Sequence, residues 1–396
     1  MLLKQKSKQV MKQYLNKRFQ EIYKVEPIKY FSCGGRFEVL GNHTDHNHGL
    51  CIAATCNLAI YSAVRKRNDL IVNVYSEDHD SFSINLSKLD KKQEEIGESS
   101  ALIRGIVYYL RNYHYQGFDL YSTSQIPSGA GVSSSAAFEL LIAQIINQLF
   151  NNGEIPLMTL CKAGQFAERD YYGKMCGLLD QIGVAYGGLV YIDFKDIDNP
   201  IVKPLTMALD NYQFVVVNTG GSHATLSHLY SAIPEDMKKI ASYFGKDYLR
   251  EVDYDLFIKN KEDVINKCGL LSYQRALHFF NENQRVIKAY DAINSNNVPA
   301  LINLINESRI SSTDLLKNMC VDNQITGSPL EACELIMEAS HQKAGVKING
   351  GGFAGSVIAL IPNEELDNVI NLVKEKYGEN NIHLVSVRND IPCEIK

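Results

Sequence analysis

A glycine-rich loop that runs directly into an apolar helix constrains this chain more than any other stretch. Residues 126–139 read Ile-Pro-Ser-Gly-Ala-Gly-Val-Ser-Ser-Ser-Ala-Ala-Phe-Glu, and apolar residues then recur at helical spacing as far as Leu149. A helix start presents free backbone N–H groups and a partial positive charge, and glycines let a phosphate approach them. The loop therefore predicts a polyphosphate site. Its candidate residues are Gly129, Ala130, Gly131, Val132, Ser133, Ser134 and Ser135.

The loop lacks the Gly-Lys-Ser/Thr ending of a Walker A loop, so a cation against the phosphates must come from elsewhere, most simply Mg²⁺. The serine hydroxyls can cap the helix, hold phosphate oxygens or reach a metal ion. On these residues alone, a Gly/Ser turn that merely caps a buried helix is an open alternative. Other stretches of the chain must decide between the two.

Length and composition describe an ordinary globular protein. A chain of 396 residues predicts two or three domains, and 45% hydrophobic residues suffice for buried cores. The net charge of −5 and the scattered Lys and Arg residues argue against a nucleic-acid partner and favour small-molecule chemistry. Residues 1–18 lack the apolar core of a signal peptide, and the apolar run 49–64 is too short and interrupted to span a bilayer. We therefore expect a cytoplasmic protein that binds no membrane, and separately we expect it to be a monomer.

A dense polar loop follows the first predicted strand, at residues 42–49. Its three histidines and Asp45 raise the possibility of a zinc site, but the spacing is not that of a helical His-x-x-x-His pair and no second ligand cluster follows. Asp, Asn, His and Arg side chains are those that recognise hydroxyl groups, so we favour a polyol-binding loop. A solvated loop without a ligand remains the alternative.

An isolated aspartate marks a third candidate stretch, at residues 173–188. Asp180 lies between glycine-rich turns in an otherwise apolar segment, where a carboxylate needs a partner. A cationic partner would also keep it ionised at neutral pH. The alternative is an aspartate that caps the helix after it.

The apolar pattern predicts an α+β chain that divides near Pro204, into residues 1–204 and 205–396. Helices are expected over 10–23, 101–111, 133–150, 156–172, 226–244, 273–293, 300–316, 330–344 and 364–377, with a helix pair within 246–267. Strands are expected from residue 31 to the start of the polar loop, over 50–64, 71–76, 118–124, 214–219 and 382–387, and on both sides of the glycine loop 350–355.

Together these motifs resemble the signatures of the galactokinase family, within the GHMP kinase superfamily. Residues 35–49 resemble its signature Gly-Arg-Val-Asn-Leu-Ile-Gly-Glu-His-Thr-Asp-Tyr-Asn-x-Gly, 126–139 its phosphate loop and 350–356 its third glycine motif. Residues 176–181, Cys-Gly-Leu-Leu-Asp-Gln, resemble its catalytic segment Cys-Gly-x-Met-Asp-Gln, and 277–286 partly match a further family helix. The matches follow the family's order and cover nearly the whole chain.

The resemblance implies transfer of the γ-phosphoryl group of ATP to the anomeric hydroxyl of a hexose, most simply galactose. It also implies a two-domain fold, with an N-terminal domain like the second domain of ribosomal protein S5 and a ferredoxin-like C-terminal domain. Asp180 would accept or orient the hydroxyl proton and Arg36 would pair with it, while Ser135 and Glu168 would hold Mg²⁺ and Ser76 would contact the nucleotide. Implied sugar-binding residues are Asn42, His43, Thr44, Asp45, Gly177 and Tyr230.

The departures from the family pattern concern the sugar. Asn42 stands where the family has a glutamate, and His46 replaces a tyrosine. One alternative is therefore a kinase for a related sugar such as N-acetylgalactosamine. Another is a catalytically silent sugar and ATP sensor, since some relatives act as transcriptional co-inducers. Those relatives carry lesions after the serines, whereas residues 133–137 are intact here, which favours an enzyme.

Overall fold

The computed structural model describes residues 8–77, 79–127, 129–220 and 226–395. The residues before Lys8, on which part of the signal-peptide argument depends, and Ser128 of the glycine loop lie outside these ranges. The helices are α1 (Lys8–Tyr23), α2 (Ser99–Tyr109), α3 (Ser134–Phe150), α4 (Leu157–Phe166), α5 (Leu179–Ala185), α6 (Ser227–Tyr243), α7 (Tyr254–Lys259), α8 (Lys261–Cys268), α9 (Leu270–Asn294), α10 (Val298–Ser311), α11 (Pro329–Ala339) and α12 (Asn363–Tyr377). Within the described residues, no helix has the length and apolarity needed to cross a membrane.

The strands form two sheets. They are β1 (Lys29–Leu40), β2 (Leu50–Lys66), β3 (Ile71–Ser76), β4 (Phe82–Asn85), β5 (Phe118–Ser124), β6 (Leu189–Asp193), β7 (Ile201–Leu205), β8 (Tyr212–Asn218), β9 (Gly345–Asn349), β10 (Ser356–Pro362), β11 (Ile382–Val385) and β12 (Cys393–Glu394). The first sheet has the order β12-β1-β2-β5-β3-β4, with β6 beside β2 and β7 beside β6. The second has the order β11-β8-β10-β9 and is antiparallel throughout.

The long strand β2 organises the first sheet. One edge pairs with β1, while the other pairs with β6 over Leu50–Ala54 and with β5 over Ile60–Lys66. Helices α3 and α5 pack on β1 and β2, so that β1 is buried from Phe31 to Leu40. This burial explains why β1 and β2 lack the polar alternation of a half-exposed strand. The result is a rigid support for the loops at the strand ends.

The second sheet is ferredoxin-like, as the family resemblance implies. Its four strands, numbered by their order along the chain, lie in the order 4-1-3-2, and α11 and α12 pack on it. Apolar residues of β8, β10, α9 and α10, among them Phe214, Ile358 and Val286, join the core of the first sheet. The two sheets are therefore held together by a continuous apolar core, and the expected α+β class is confirmed.

Several boundaries differ from the sequence predictions. Helix α11 ends at Ala339 rather than at 344, because His341 and Gln342 have positive φ angles that no helix continues through. The last predicted strand ends at Val385, because Val387 turns away to bridge Cys56 of β2. The sequence also failed to predict β4, β6, β7 and β12. The division at 204/205 stays a prediction, since β7 runs to Leu205 and β12 returns to the first sheet.

Candidate active site

The glycine loop packs tightly between β1 and the third glycine motif. Gly131 has a φ of 70°, and a Cβ there would lie 1.8 Å from Ser356 Oγ, so no other residue fits without displacement. On the other side Arg36 N donates a hydrogen bond to Val132 O (2.9 Å). Helix α3 then begins, with Ser133 in the left-handed conformation at its N-cap. The first-turn N–H groups of α3 are thus held at a fixed loop, as a phosphate cradle requires.

Asp180 lies in the first turn of α5 and contacts two partners beside this loop. Arg36 Nε donates to its Oδ1 (2.7 Å) and Ser133 Oγ to its Oδ2 (2.5 Å). Burial alone would raise the pKa of Asp180, but the charge and hydrogen bond of Arg36, with help from Lys174 and Ser133, hold that pKa below its ordinary value. The carboxylate does not cap α5, because its oxygens bond to side chains from β1 and the glycine loop. It is an ionised hydrogen-bond acceptor at neutral pH.

Glu168 forms the centre of a second polar cluster. It lies in the π-helical turn Ala167–Tyr172 that follows α4, and its Oε1 accepts hydrogen bonds from Ser135 Oγ (2.9 Å) and Lys174 Nζ (2.7 Å). Gln181 Nε2 links its other oxygen (3.1 Å) to Glu139 Oε2 (2.9 Å). Burial and the nearby Glu168 charge raise the pKa of Glu139 well above its usual range. Neither Glu139 nor Lys174 was predicted from the sequence as a site residue.

Ser135 and Glu168 fit Mg²⁺ in their chemistry. A carboxylate oxygen and a hydroxyl oxygen are hard ligands of the kind this ion prefers, and they already lie within hydrogen-bonding distance of each other. In the described part of the chain, no group of three or more His, Cys, Asp and Glu side chains could hold a metal by itself. A magnesium ion here would need phosphate and water oxygens to complete its shell, which is its usual mode beside nucleotides.

Asp45 and Gly177 are in close contact, and the backbone N–H of Leu179 next to Asp180 also bonds to Asp45. A Cβ on Gly177 would lie 1.7 Å from Asp45 Oδ2, so the glycine is needed for this approach. Burial, and next the charges of Asp180 and Glu38, raise the pKa of Asp45 to about 7, although backbone N–H groups of His46 and Leu179 lower it. Asp45 is therefore a carboxylate whose ionisation is balanced near neutral pH.

The other predicted sugar-loop residues are held by the protein itself. Asn42 Nδ2 donates to Gly350 O (2.7 Å), and the Thr44 hydroxyl lies 2.7 Å from Leu50 O. Tyr230 OH donates to Gly352 O (2.6 Å), which attaches α6 to the third glycine motif. The structure thus brings Asn42 and Tyr230 together at that motif, while Thr44 is fully buried inside its own loop.

Two histidines extend this link. Because Gly351 O can only accept, His43 donates to it from Nε2 (2.8 Å), which leaves His43 Nδ1 to accept from His46 Nε2 (3.1 Å). His46 Nδ1 in turn accepts from Asn47 Nδ2 (2.9 Å). Both rings must be neutral in this arrangement, and burial lowers the pKa of His43 to about 4. The polar loop is built for hydrogen bonding rather than for zinc.

Side chains of helix α9 bond to the backbone of the polar loop and its flanking residues. Glu282 Oε1 accepts from Gly41 N (3.0 Å), His278 Nε2 bonds to Asn42 O (3.0 Å), and Asn283 Oδ1 accepts from Leu50 N (2.7 Å). Arg285 Nε pairs with Glu282 Oε2 at 2.7 Å. The sequence assigned these residues no role, and the one available signal was the partial family match at 277–286.

Ser76 lies apart from these clusters, at the end of β3. Its hydroxyl bonds to that of Ser122 (2.8 Å), on the strand β5 that leads into the glycine loop. Its predicted nucleotide contact stays a prediction.

Comparisons with known proteins agree with this geometry. Residues 101–188, which hold the glycine loop, match the GHMP kinases N terminal domain, and residues 17–66 match the galactokinase galactose-binding signature. The fold is also that of the Methanococcus jannaschii mevalonate kinase, at 14% identity and a TM-score of 0.64 over 92% of this chain and 99% of that one. The class of protein is thus a GHMP kinase.

Relatives narrow the class. The chain is 31% identical over 351 residues to a galactokinase of Glaesserella parasuis, covering 87% of this chain and 88% of the relative. It is 32% identical over 375 residues to a galactokinase of Clostridium tetani, covering 92% and 91%. A Lactococcus lactis galactokinase structure complexed with galactose matches with a TM-score of 0.83 at 25% identity, over 96% of this chain and 99% of that chain. The chain belongs to the galactokinase family.

Proposed function

We propose that this protein is an ATP-dependent galactokinase, which transfers the γ-phosphoryl group of ATP to the anomeric hydroxyl of galactose. The products are galactose 1-phosphate and ADP. The observation that carries the proposal is the position of Asp180, an ionised carboxylate held by Arg36 and Ser133 directly beside the glycine loop. The galactokinases among its relatives, one of them solved with galactose, supply the sugar.

In this reaction Asp180 accepts the proton of the attacking hydroxyl, or orients that hydroxyl toward the phosphorus. Arg36 keeps Asp180 ionised and places positive charge where negative charge develops on the transferred group. Because Arg36 also donates to Gly131 O (3.0 Å), the catalytic pair and the phosphate loop keep a fixed relation. Positioning of this kind is the main contribution a protein makes to phosphoryl transfer.

On the nucleotide side, the loop N–H groups and the serine hydroxyls hold the phosphates, and Ser76 contacts the nucleotide. Ser135 and Glu168 hold Mg²⁺, which when bound supplies positive charge to the phosphate oxygens. The phosphate-binding residues in this proposal are Gly129, Ala130, Gly131, Val132, Ser133, Ser134 and Ser135.

On the sugar side, Asp45 accepts a hydrogen bond from a hydroxyl of galactose. Gly177 gives the carboxylate room, and the remaining proposed sugar residues, Asn42, His43, Thr44 and Tyr230, shape the loop around the sugar. Residues 1–204 and 205–396 form the two functional units in this proposal, and the protein acts as a cytoplasmic monomer. Light scattering tests whether the protein is a monomer, and cell fractionation tests whether it is cytoplasmic.

The deciding experiment measures ADP release from Mg-ATP with galactose, N-acetylgalactosamine, glucose, mannose, arabinose and mevalonate as acceptors. Strong turnover with galactose and little with the others supports galactokinase. A preference for N-acetylgalactosamine would support the proposed phosphoryl transfer but replace galactose as the substrate. If no sugar is turned over but calorimetry detects sugar or ATP binding, the proposal of an enzyme fails and the alternative of a catalytically silent sensor is favoured.

A further inference from the structure

Lys174 lies where the phosphate loop needs a cation. Gly173, with a φ of 91°, ends the π-helical turn, and the N–H groups of Gly173 and Lys174 both donate to Glu168 O (3.0 and 2.9 Å). The chain therefore folds back over Glu168. This reversal places the Lys174 ammonium on the same carboxylate oxygen that accepts from Ser135, the second residue of helix α3.

The ammonium lies between a buried carboxylate and open space. The Glu168 side chain is 1% exposed, whereas that of Lys174 is 54% exposed, so an anion from solvent can reach the lysine. The charge of Lys174 also lowers the pKa of Asp180, although burial and Arg36 affect that pKa more strongly. The same charge lowers the pKa of Tyr230, which burial raises. Lys174 is therefore close to the catalytic pair, to the metal-binding candidates and to the residue that contacts the third glycine motif.

Two other cations of the site are buried and already paired, so neither can move toward an incoming nucleotide. Arg36 is buried and committed to Asp180 and Gly131 O, and Lys347 is fully buried on Glu38 (2.7 Å). Lys174 has a flexible four-carbon stem and an exposed head.

We propose that Lys174 is a nucleotide-binding residue, whose ammonium pairs with Glu168 in the nucleotide-free protein and binds phosphate oxygens of ATP when the nucleotide enters. This inference rests on the proposed function for the identity of the anion. It supplies the cation that the glycine loop does not carry in its own sequence.

Calorimetry of ATP binding in EDTA tests the proposal, because it needs neither metal nor turnover. We expect Lys174→Met to weaken metal-free ATP binding by about tenfold and Lys174→Arg by less than about threefold, since a charge-assisted hydrogen bond is lost only in the first. Adenosine should bind both variants as it binds the wild type. The matched control is Lys376→Met, which removes a lysine 45% exposed on Glu331, between the outer helices α11 and α12.

Unchanged ATP affinity in Lys174→Met would overturn the proposal, whether or not its thermal stability falls. An equal loss of ATP and adenosine affinity would also overturn it, because the phosphates would then not be the contact. So would an absence of metal-free ATP binding in the wild type. If ATP binding follows the expected pattern but no sugar is phosphorylated, the galactokinase proposal fails while the role of Lys174 stands.

Discussion

Two partly buried aspartates of the same site have opposite ionisation behaviour. Asp180 contacts a guanidinium and a hydroxyl, and its pKa lies below the ordinary value. The ionised form of Asp45 is favoured by the backbone N–H groups of His46 and Leu179 and is opposed by the charges of Asp180 and Glu38. Burial raises the pKa of both carboxyls, and at Asp45 the result is about 7.

Since burial acts in the same direction on both aspartates, it is the partner that decides the charge of each of these partly buried carboxyls. The charge of Asp180 is paired with that of Arg36 before any substrate arrives, which suits a group proposed to act on a proton in the transition state. Among the residues that the structure describes, no Lys or Arg forms an ion pair with Asp45, so its carboxylate can gain hydrogen-bond donors from a sugar. Asp180 and Asp45 therefore differ in what they offer a ligand.

The largest expected effect comes from removing the paired carboxylate. We predict that Asp180→Ala lowers turnover by about 10² or more, because the hydroxyl loses its proton acceptor. Nucleotide binding should survive, since the glycine loop does not depend on the carboxylate for its backbone N–H groups. Steady-state kinetics and ATP calorimetry on the same preparation measure both.

The control for this variant is Asp255→Ala, an exposed aspartate in the first turn of α7. It should leave turnover unchanged. Near-normal turnover in Asp180→Ala would remove Asp180 from the mechanism and leave the comparison between the two aspartates without a functional meaning.

The sequence was informative where local patterns fix the structure. Long periodic segments gave α1, α3, α9 and α12 within a few residues, because an amphipathic or apolar helix has a strong period. It missed the two-residue β12, and it missed β7, in which Pro204 argues against a strand. Such strands exist because a neighbour offers an edge, which a single segment cannot reveal.

The same limit applies to the site. Asp180 and Arg36 were predicted as a pair through the family resemblance, whereas Glu139, Lys174 and Glu282 carry no local motif that announces a role. Lys174 reaches Glu168 only because Gly173 reverses the chain, and Glu282 reaches the polar loop across 241 positions of sequence. The family motifs pointed to the residues proposed for catalysis, whereas only the three-dimensional contacts show which residues support them.

Asp45 should make stability depend on pH. Its pKa in the folded protein, about 7, lies above its ordinary value of 3.8, so the folded state holds this proton more tightly than the unfolded state. Its contribution to stability is complete below about pH 4 and is lost as the pH rises to about 7. We predict that Asp45→Asn raises the free energy of unfolding at pH 8 by roughly 2 kcal/mol, less than the full shift because an amide accepts weaker hydrogen bonds.

Denaturant unfolding of the wild type and Asp45→Asn at pH 5, 6, 7 and 8 isolates this contribution, since other titrating groups are common to both proteins. A difference that does not grow between pH 5 and pH 8 would contradict the raised pKa and weaken the contrast with Asp180.

Galactose affinity should follow the same ionisation. An ionised carboxylate accepts hydrogen bonds from sugar hydroxyls more strongly than a neutral acid. With a pKa of about 7, the ionised fraction of Asp45 rises roughly tenfold between pH 6 and pH 8, and we expect galactose affinity to rise with it. Calorimetry across this range should show the rise in the wild type and a flat, weaker response in Asp45→Asn. His43, with its pKa lowered to about 4, stays neutral throughout and does not confuse the result.

The smallest expected effect separates the two supports of Asp180. Ser133→Ala removes the hydroxyl that donates to Oδ2 but leaves the Arg36 pair at Oδ1 intact. Because the hydroxyl is among the smaller influences that lower the pKa of Asp180, turnover should fall by only about threefold, and the acidic limb of the pH–rate profile should move to higher pH. A fall as large as that of Asp180→Ala, with an unmoved acidic limb, would instead show that Ser133 acts mainly through its contact with the phosphates and not through Asp180. The charge of Arg36 would then be enough by itself to set Asp180 apart from Asp45.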